Sequence, residues 1–483
     1  MRNQLFLQGF EWYLPEDGKH WERLRKQIPF FQKIGVTGIW LPPAYKAWNG
    51  MHNVGYGTYD LYDLGEFDQK GSIPTKYGTK EEYLKLLHAL KEAGICSFAD
   101  IVFNQKCGAD EQETVMAAPC SSSDRLEETG GYAPHQFWTK FLFQGRKGRY
   151  SDFQWDSSCF DGAEDQGTIY QFQGHTWDPD VSSENGNYDY LLGDDLDFDQ
   201  EKVCHELEQW GAWYMKLTDC DGVRLDALKH INGQYFQRWL DFAEAETGKK
   251  LLAIGEYWSA DLKTLQDYYD LNDHRIHLFD VPLHFHFVNA SQGGGYYDMR
   301  NLLPDTMMSS APEGAVTFVD NHDTQPGQSL QSYVMSWFRE IAYAVILFRE
   351  EGTPCVFYGD LYGIPHDQIA PMEHLPKMMK LRNDAAYGPQ HDYLDDPDRI
   401  GWTREGDAEH PAGLAVLLSD GPGGEKTMYL GTQHAGMVYE DLLGRNAPVM
   451  IDQNGNGTFD VQGGSAAIYT LRKTCAGTKK PRE

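Results

Sequence analysis

The fold is decided by a stretch near the middle of the chain, Gly222-Val-Arg-Leu-Asp-Ala227. It has the form of a short buried strand that ends in charged residues. Side chains alternate along a strand, so Arg224 and Asp226 point to the same side. Seven other apolar runs are comparable, and amphipathic helical patterns separate most of them. Eight strands alternating with helices predict a parallel sheet, and closing that sheet gives a (β/α)8 barrel, an α/β fold.

The predicted elements cover most of the first 390 residues. The strands are Gln4–Phe10, Gly35–Leu41, Ile95–Phe103, Gly222–Leu228, Leu251–Glu256, His277–Val281, Ala315–Val319 and Pro354–Tyr358. The clearest helical patterns are Lys80–Ala93, Gln200–Leu217, Gln234–Thr247 and Ser336–Glu350. We therefore assign residues 1–103 and 201–390 to the barrel.

The alternation of strands and helices breaks twice. Residues 104–200 lie between the third and fourth strands and are rich in Gly, Asp, Ser and aromatic residues. A connection of that length rarely lacks structure of its own, so we predict an inserted domain. Residues 391–475 contain short apolar runs separated by Gly, Asp and Asn turns, which predicts an antiparallel β-sandwich. Residues 476–483 form a polar tail.

The composition excludes two classes of partner. The formal net charge of −30 repels phosphate backbones and anionic lipids, so we expect neither nucleic acid nor membrane as a partner. A neutral polymer remains compatible, and an aromatic content of 13% supplies flat faces suited to sugar rings. No signal-peptide pattern opens the sequence, and the eight cysteines contain no CxxC pair. We therefore expect free thiols and a cytoplasmic location.

Acidic residues stand at the ends of three predicted strands, where a barrel of this type carries its catalytic groups. Asp226 ends the fourth strand beside Arg224, whose charge is expected to lower the carboxyl pKa and keep the group ionised. Glu256 ends the fifth strand before two aromatic residues, a setting that raises a carboxyl pKa and suits a general acid. Asp323 follows the seventh strand beside His322. A plain salt bridge explains the first pair taken alone, whereas the three acids together indicate double displacement with a third carboxylate that grips a sugar.

Four stretches resemble the signature regions of the alpha-amylase superfamily. They are Asp100-Ile-Val-Phe-Asn-Gln105, Gly222-Val-Arg-Leu-Asp-Ala-Leu-Lys-His230, Ile254-Gly-Glu-Tyr-Trp258 and Phe318-Val-Asp-Asn-His-Asp323. The resemblance extends over about residues 3–472, where Gln8–Tyr13, Val54–Leu64, Asn187–Tyr190 and Asp323–Gln328 are similar to the liquefying bacterial α-amylases and their cytoplasmic relatives. It implies endo-hydrolysis of α-1,4 bonds in starch, glycogen or maltodextrins, with retention of anomeric configuration.

The resemblance also implies a role for individual residues. Asp226 would be the nucleophile, Glu256 the general acid and base, and Asp323 the carboxylate that holds the sugar 2- and 3-hydroxyls. Further substrate contacts are implied for Arg224, which would orient the nucleophile, for Tyr56 and His322 around the scissile glucose, and for Lys229 and His230 on the leaving-group side.

One position departs from the family pattern. The first signature region usually ends in Asn-His, and that His donates to the sugar 6-hydroxyl, whereas this chain has Asn104-Gln105. Gln carries a donor but has no positive form, so it cannot supply a charge-assisted hydrogen bond. We therefore expect a weaker grip on the 6-hydroxyl and an unaffected catalytic triad.

Metal sites are also implied by the resemblance, since calcium binds carboxylates and carbonyls. The main calcium cage would comprise Asn104, Asp189, Asp195 and the backbone carbonyl of His230. A linked cluster, which could hold sodium as well as calcium, would use Asp161, Asp178 and Asp197. A further calcium between barrel and sandwich would be held by Asp392, Asp420 and the carbonyls of Gly295, Tyr297 and His391. On composition alone the acids of the inserted segment are better explained as a solvated acidic face, and the resemblance reverses that preference.

Two rival functions remain open at this point. A relative of this family could transfer glycosyl groups or trim glucans from chain ends. A protein with the same fold could instead bind or help to transport glucans without catalysis, although the intact set of three acids argues against that. We expect a monomer.

Overall fold

The computed structural model of the chain describes residues 3–472. Eight parallel strands close into a barrel, arranged around it in chain order, and this confirms the predicted fold class. The barrel strands are Phe6–Gln8, Gly38–Trp40, Cys96–Ile101, Gly222–Leu225, Leu252–Gly255, Ile276–Phe279, Ala315–Phe318 and Thr353–Phe357. Each lies within or next to a run that the sequence pattern predicts as a strand.

Helices follow most of the barrel strands. The α-helices are His20–Ile34, Lys80–Glu92, Glu201–Thr218, Tyr235–Thr247, Leu262–Leu271, Val281–Gln292, Met307–Ser310, Arg339–Phe348, Tyr358–Tyr362 and Leu375–Ala385. Short 3-10 helices lie at Gly50–His52, Ser157–Cys159, Leu228–His230, Met299–Asn301, Pro365–Asp367 and Thr432–His434. Among residues 3–472, every helix is too short or too polar to cross the hydrocarbon core of a bilayer.

The helix Lys80–Glu92 shows why these stretches are helical. Thr79 caps its N-terminus, because its hydroxyl accepts from the Glu82 amide while the Glu82 carboxylate accepts from the Thr79 amide. This reciprocal capping box satisfies amides that lack a partner within the helix. Tyr83, Leu86, Leu87 and Leu90 recur at helical spacing and are buried, so a single apolar face packs toward the barrel strands.

The chain divides into two compact units. Of the described residues, the first unit comprises Phe6–Gln32 and Thr37–Val281, and the second comprises residues 3–5, Lys33–Val36 and residues 282–472. The first unit holds the strands that end in Asp226 and Glu256, and the second holds the strand that precedes Asp323. This division does not test the limits predicted for the barrel and the inserted domain, which stay a prediction.

An inserted antiparallel sheet lies within the first unit. Its strands, in spatial order, are Gln105–Lys106, Asp194–Leu196, Phe160–Asp165, Thr168–Phe172, Glu111–Pro119 and Ala133–Lys140. A small core beside it consists of Cys120, Ile169, Trp177 and Tyr190. The two-stranded ladder Lys46–Ala47 and Thr58–Asp60 belongs to the same unit. The segment predicted as an inserted domain therefore folds as a sheet of its own.

Antiparallel sheets also form the C-terminal part of the second unit. One sheet contains, in spatial order, Gln390–Tyr393, Arg399–Arg404, Leu414–Ser419, Ser465–Leu471, Val438–Asp441 and Val449–Met450, and a second pairs Gly424–Tyr429 with Asn456–Val461. Their shared core includes Leu417, Met428, Tyr439, Phe459 and Tyr469, all buried. The cysteines of the described residues are free thiols, as predicted. The predicted polar tail at 476–483 and Cys475 lie outside the described residues.

Candidate active site and metal centre

Parallel pairing places the fourth and fifth strand ends at the same level. Leu225 is in register with Gly255, and the ladder continues one residue further because the Glu256 amide donates to the Leu225 carbonyl at 2.9 Å. On the other side, the Asp226 amide donates to the Ile101 carbonyl at 3.0 Å. Asp226 and Glu256 therefore leave adjacent strands at one rim of the barrel, where a parallel barrel carries its catalytic groups.

The chain turns sharply directly after Asp226. Ala227 has φ 53° and ψ 38°, a left-handed conformation that is uncommon for a residue with a β-carbon. The Leu228 amide then donates to the Glu256 carbonyl at 3.0 Å and starts the short helix Leu228–His230. Two backbone bonds between neighbouring strand ends thus hold the positions of the two acids.

The Arg224 guanidinium connects three carboxylates. Its Nη1 donates to Asp100 Oδ1 at 2.9 Å and to Asp226 Oδ1 at 2.5 Å, and its Nη2 donates to Glu256 Oε2 at 2.5 Å. All four residues are at least nine-tenths buried. The predicted pairing of Arg224 with Asp226 is present, while its bonds to the other two carboxylates are contacts that spacing along the chain did not indicate.

The electrostatics of this group differ from the sequence-based expectation. Burial raises the pKa of Asp226 to about 8, and the charges of Glu256 and Asp100 act in the same direction, while Arg224 lowers it. Burial likewise raises the pKa of Asp100. The expected lowering by Arg224 is present but is outweighed by desolvation. Because one guanidinium is shared among three carboxyl groups, its charge does not suffice to keep all of them ionised. The arrangement therefore favours retention of a proton by these carboxyl groups near neutral pH.

Tyr56 stands over this group as a half-buried aromatic platform. Its hydroxyl donates to Asp100 Oδ2 at 2.8 Å, and its ring is parallel to Trp12, with centroids 6.2 Å apart and 2° between the planes. The Arg224 guanidinium lies 5.7 Å from the Tyr56 ring centroid and 4.8 Å from that of Trp40. The signal that could have indicated Asp100 is its place in the first signature region, one strand before Arg224 along the chain.

Gln105 lies directly behind Tyr56. Its Nε2 donates to the Tyr56 backbone carbonyl at 2.8 Å, and its own backbone carbonyl accepts from the Thr58 hydroxyl at 2.5 Å. The residue is only 1% exposed, and its Oε1 is buried without a hydrogen-bond partner among the described residues. The side-chain donor expected to reach a sugar thus holds the backbone of the aromatic platform.

Lys229 and His230 follow the strand Gly222–Leu225 and lie on the short helix. Lys229 Nζ donates to the Glu184 carboxylate oxygens at 3.0 and 3.1 Å and lies 4.9 Å from the Tyr188 ring centroid. His230 Nδ1 is 2.6 Å from the Tyr188 carbonyl oxygen, and burial lowers the pKa of His230 to about 3. A neutral imidazole bonded in this way orients the turn. The predicted contribution of the His230 side chain to leaving-group binding stays a prediction, as does that of the His230 backbone carbonyl to a metal site.

His322 and Asp323 belong to the second unit. They follow the strand Ala315–Phe318, His322 is fully buried, and its Nε2 lies 3.1 Å from Asp323 Oδ2. Asn321 holds the turn, because its Oδ1 accepts from the amides of Asp323 at 2.8 Å and Thr324 at 2.9 Å. The half-buried Asp323 carboxylate is therefore presented from a fixed loop beside an imidazole, as the strand-end pattern predicts.

A buried acidic cluster lies in the inserted sheet and in the loop before its strand Asp194–Leu196. Asp161, Asp189 and Asp195 each offer a carboxylate oxygen, and these atoms lie within 4.8 Å of one another. Burial raises the pKa of all three carboxyls, with a further contribution from the charges of neighbouring carboxylates. Asn104 Nδ2 donates to Asp195 Oδ1 at 3.1 Å. Such a concentration of buried carboxyl groups requires a cation or protons to be stable.

The other acids of the predicted cluster have different surroundings. Asp197 Oδ2 lies 2.6 Å from His175 Nδ1, and these two residues form a second group with Asp161. Asp178 accepts from the Asp180 amide at 3.1 Å, and its own amide donates to Asp189 Oδ2 at 2.7 Å. Asp178 is therefore attached to the cluster through its backbone. The sequence-based prediction did not include His175.

The predicted barrel–sandwich calcium residues lie in the second unit. The Tyr297 amide donates to Asp420 Oδ2 at 3.1 Å, while Asp420 Oδ1 is buried without a hydrogen-bond partner among residues 3–472. Burial raises the Asp420 pKa to about 6. Gly295 has φ +93°, and a β-carbon there would lie 2.9 Å from the Asp420 carbonyl oxygen, so the close approach requires glycine.

Two other residues of that predicted site already have partners. Arg349 donates to both oxygens of the Asp392 carboxylate, at 3.0 and 2.9 Å. The ring of His391 is 2.6 Å from Glu405 Oε1, and His391 pairs with Thr403 in the sheet. Asp420 is thus the carboxylate of this set that lacks a neutralising charge, and a calcium here stays a prediction.

Comparisons with known proteins agree with this geometry. The alpha-amylase catalytic-domain family model matches residues 20–413. The chain is 50% identical over 486 residues to an alpha-amylase of Geobacillus stearothermophilus, covering 99% of this chain and 88% of that one. It is 40% identical over 494 residues to the cytoplasmic alpha-amylase of Escherichia coli strain K12, covering 98% and 100%.

A solved alpha-amylase of Geobacillus thermoleovorans, in complex with acarbose, has a TM-score of 0.63 to this chain at 16% identity, over 98% of this chain and 99% of that one. That similarity shows the fold alone. The matched catalytic domain and the relative that is half identical over nearly the whole chain go further, and with the acids at the barrel rim they show that the chain belongs to the alpha-amylase family of glycosidases.

Proposed function

We propose that this chain hydrolyses internal α-1,4 bonds of starch-like glucans with retention of anomeric configuration. The observation that carries the proposal is the pair of acids, Asp226 and Glu256, on adjacent strand ends with one guanidinium bonded to both. Two carboxylates flanking a glycosidic bond are the groups that a retaining glycosidase needs.

The proposed mechanism assigns a separate task to each group. Asp226 attacks the anomeric carbon while Glu256 protonates the departing oxygen, and water then resolves the glycosyl-enzyme with Glu256 as base. Arg224 holds both carboxylates in place. Tyr56 offers a half-buried ring as a stacking surface for the sugar. Asp323 is proposed to hold the sugar 2- and 3-hydroxyls.

Incubation with soluble starch tests this proposal. An endo-acting enzyme is expected to abolish iodine staining long before most reducing ends have formed, and proton NMR of the first products should show the α-anomer. An exo-acting enzyme would form reducing ends while the staining persists. A transferase would form longer or cyclic glucans with few new reducing ends, and a binding protein would form none.

We infer that the acidic cluster of the inserted sheet holds calcium. Asp161 Oδ1, Asp195 Oδ2 and Asn104 Oδ1 are buried oxygens without a hydrogen-bond partner among the described residues, and oxygen donors are the ligands that calcium prefers. The residues therefore fit the ion. Bound calcium would neutralise the carboxylates. It would also fasten the inserted sheet to the end of the barrel strand Cys96–Ile101, which precedes Asn104, and would thereby support the rim of the active site.

Removal of metal is expected to lower the melting temperature by several degrees, and added calcium should restore it. A ligand that binds only the folded chain stabilises it by RT ln(1 + [L]/Kd), about 2.7 kcal/mol at a hundredfold excess over Kd. Calorimetry after dialysis against chelator measures the effect.

The variant Asp195→Asn should lose most of this calcium response. Asp165→Asn is the matched control, because it removes the same charge from an exposed position on the same sheet. A melting curve that chelation leaves unchanged in the wild type would contradict the calcium site.

Gln105 is expected to weaken selection at the sugar 6-position. Its Nε2 already uses one of its two N–H donors on the Tyr56 carbonyl, and that bond restricts where the remaining N–H can point. We expect kcat/KM for unmodified and 6-deoxy maltooligosaccharides to differ little in the wild type. Gln105→His should widen that ratio and raise activity on the unmodified substrate by about two- to tenfold, equivalent to about 0.5–1.5 kcal/mol.

Gln105→Glu is the control, because it keeps the size of the side chain and loses the donor to Tyr56. It should raise KM without changing the ratio between the two substrates. Strong discrimination against the 6-deoxy substrate by the wild type would show that Gln105 does grip the sugar.

A cytoplasmic location and a monomeric state are further proposals. The free thiols of the described residues are compatible with a reducing compartment. Fractionation of the source cells and light scattering of the purified chain test the two proposals separately.

A further inference from the structure

Trp48 is a large aromatic side chain that stays 48% exposed beside the active-site platform. It follows the short strand Lys46–Ala47, and its amide donates to the Gly57 carbonyl at 2.9 Å. Gly57 comes directly after Tyr56, whose ring stacks on Trp12. Because this backbone bond joins Trp48 to the residue next to Tyr56, the indole lies close to the ring that is proposed to stack on the scissile glucose.

The backbone beneath the indole fixes its position. A β-carbon at Gly57 would lie 2.5 Å from Trp48 Cδ1, and one at Gly108 would lie 2.6 Å from Trp48 Cβ. Approaches this close are possible only because both positions are glycine. Trp48 is therefore held between the segment that carries Tyr56 and the start of the inserted segment. A side chain that is already fixed loses less entropy when it binds a ligand.

The order of the strands around the barrel places Trp48 on the side away from the leaving group. The second, third, fourth and fifth barrel strands are consecutive neighbours, and they are followed along the chain by Trp48, Gly108, Asp226 and Glu256 respectively. Glu256 is proposed to protonate the leaving oxygen, so the leaving part of the glucan lies on its side of Asp226. The part that becomes bonded to Asp226, here called the retained part, then extends the other way, toward Gly108 and Trp48.

An exposed indole in this place suits a neutral sugar. Its flat apolar face can cover the C–H groups of a pyranose ring while the sugar hydroxyls stay in water. Single exposed apolar side chains are common on protein surfaces and need no ligand. Trp48 differs from these because it adjoins the Tyr56 platform in the direction that the retained part takes. Next to it, Gly108 borders an open cavity of about 300 Å³ that is also lined by Gln136 and Glu164, which offer hydrogen bonds to sugar hydroxyls.

We propose that Trp48 forms a binding subsite for a glucose unit in the retained part of the glucan, beyond the glucose that stacks on Tyr56. The inference rests on the proposed hydrolysis of glucans. Only a chain long enough to reach the indole gains this contact, so Trp48 favours long chains over short ones and influences which bond of a chain is cut.

The variant Trp48→Ala tests the inference on substrates of different length. Steady-state kinetics are measured on glucans with a 4-nitrophenyl group at the reducing end, from the maltoside to the maltoheptaoside. The loss in kcat/KM should be absent with the shortest substrate and reach about two- to tenfold with the longest. It should appear in KM, because a contact remote from the scissile bond stabilises ground state and transition state equally. Cuts in the longest substrate should move toward its non-reducing end.

Three further variants separate ring stacking from folding. Trp48→Phe keeps a flat ring and should retain most of the wild-type preference for long chains. Trp48→Leu covers the same glycines without a flat face and should lose as much as Trp48→Ala, so the test survives if the smaller side chain weakens folding. Tyr296→Ala is the matched control, because it removes an aromatic ring that is 95% exposed and belongs to the second unit. It should match the wild type at every chain length.

A loss that is equal at all chain lengths would overturn the inference, as would the absence of any loss in both Trp48→Ala and Trp48→Leu. An equal loss in Trp48→Phe would also overturn it, because the flat ring would then not be the binding surface. The proposed function fails separately, if the wild type hydrolyses neither starch nor any substrate of the series.

Discussion

Replacing Asp226 by Asn is expected to lower kcat on maltooligosaccharides by at least about a thousandfold, because the amide cannot attack the anomeric carbon. Glu256→Gln should cause a loss of similar size, since the amide cannot protonate the leaving oxygen. Both groups act mainly in the transition state, so glucan binding should persist in both variants. Steady-state kinetics and binding calorimetry measure the two effects separately.

The controls separate chemistry from folding. Both substitutions are nearly isosteric, and each keeps an oxygen that can accept from Arg224, so we expect melting temperatures close to that of the wild type. Asp241→Asn removes a charge from the exposed side of the helix Tyr235–Thr247 and should leave kcat unchanged. Near-normal turnover by either catalytic variant would remove that residue from the proposed mechanism.

Replacing Arg224 is expected to have the second largest effect. The guanidinium is 1% exposed and is bonded to Asp100, Asp226 and Glu256. Arg224→Leu would leave three buried carboxylates without their cation and should cost about 3–5 kcal/mol of stability, which could prevent folding. Arg224→Lys keeps the charge, but an ammonium cannot reproduce the planar fork, so kcat should fall while the chain still folds.

The pH profile distinguishes a positioning role from a structural one. The pKa of Asp226 is raised to about 8 by burial, and it would be higher still without the charge of Arg224, which lowers it. In Arg224→Lys the residue at this position should lower the Asp226 pKa less, so the carboxyl ionises at higher pH. The acidic limb of the kcat/KM profile should therefore move to higher pH. Arg339→Lys is the control, because Arg339 is a buried arginine bonded to Asp360 at 2.8 Å and should lose stability without moving that limb. An unmoved limb in Arg224→Lys would show that the residue only supports the fold.

Much of the barrel could be predicted because its signals are local. Each barrel strand lies in or next to a run that is apolar over only a few residues, and the helix Lys80–Glu92 has both its capping box and its apolar spacing in adjacent sequence. Strand-end acids such as Asp226 and Glu256 could be predicted for a related reason, since parallel strands finish at one rim. The exact strand ends could not be predicted, because hydrogen-bond pairing with neighbours decides them.

The electrostatic balance of the site could not be predicted in the same way. Arg224 next to Asp226 indicated a lowered carboxyl pKa, whereas burial and the nearby Asp100 and Glu256 reverse the result. Desolvation depends on how much of the chain covers a group, and spacing along the sequence does not contain that quantity. The same limitation applies to Asp392, whose carboxylate is occupied by Arg349, 43 residues away.

The sequence by itself determined the order of strands and helices, the acids at the strand ends and the acidic character of the inserted segment, because these depend on periodicity and neighbouring residues. Only the tertiary structure decided which groups meet. The Gln105 amide is bonded to the carbonyl of Tyr56, 49 residues earlier, and His175 lies beside Asp197, 22 residues later. Such contacts depend on the path of the folded backbone, which brings distant residues within hydrogen-bond distance. Periodicity along the sequence does not indicate which of these residues meet.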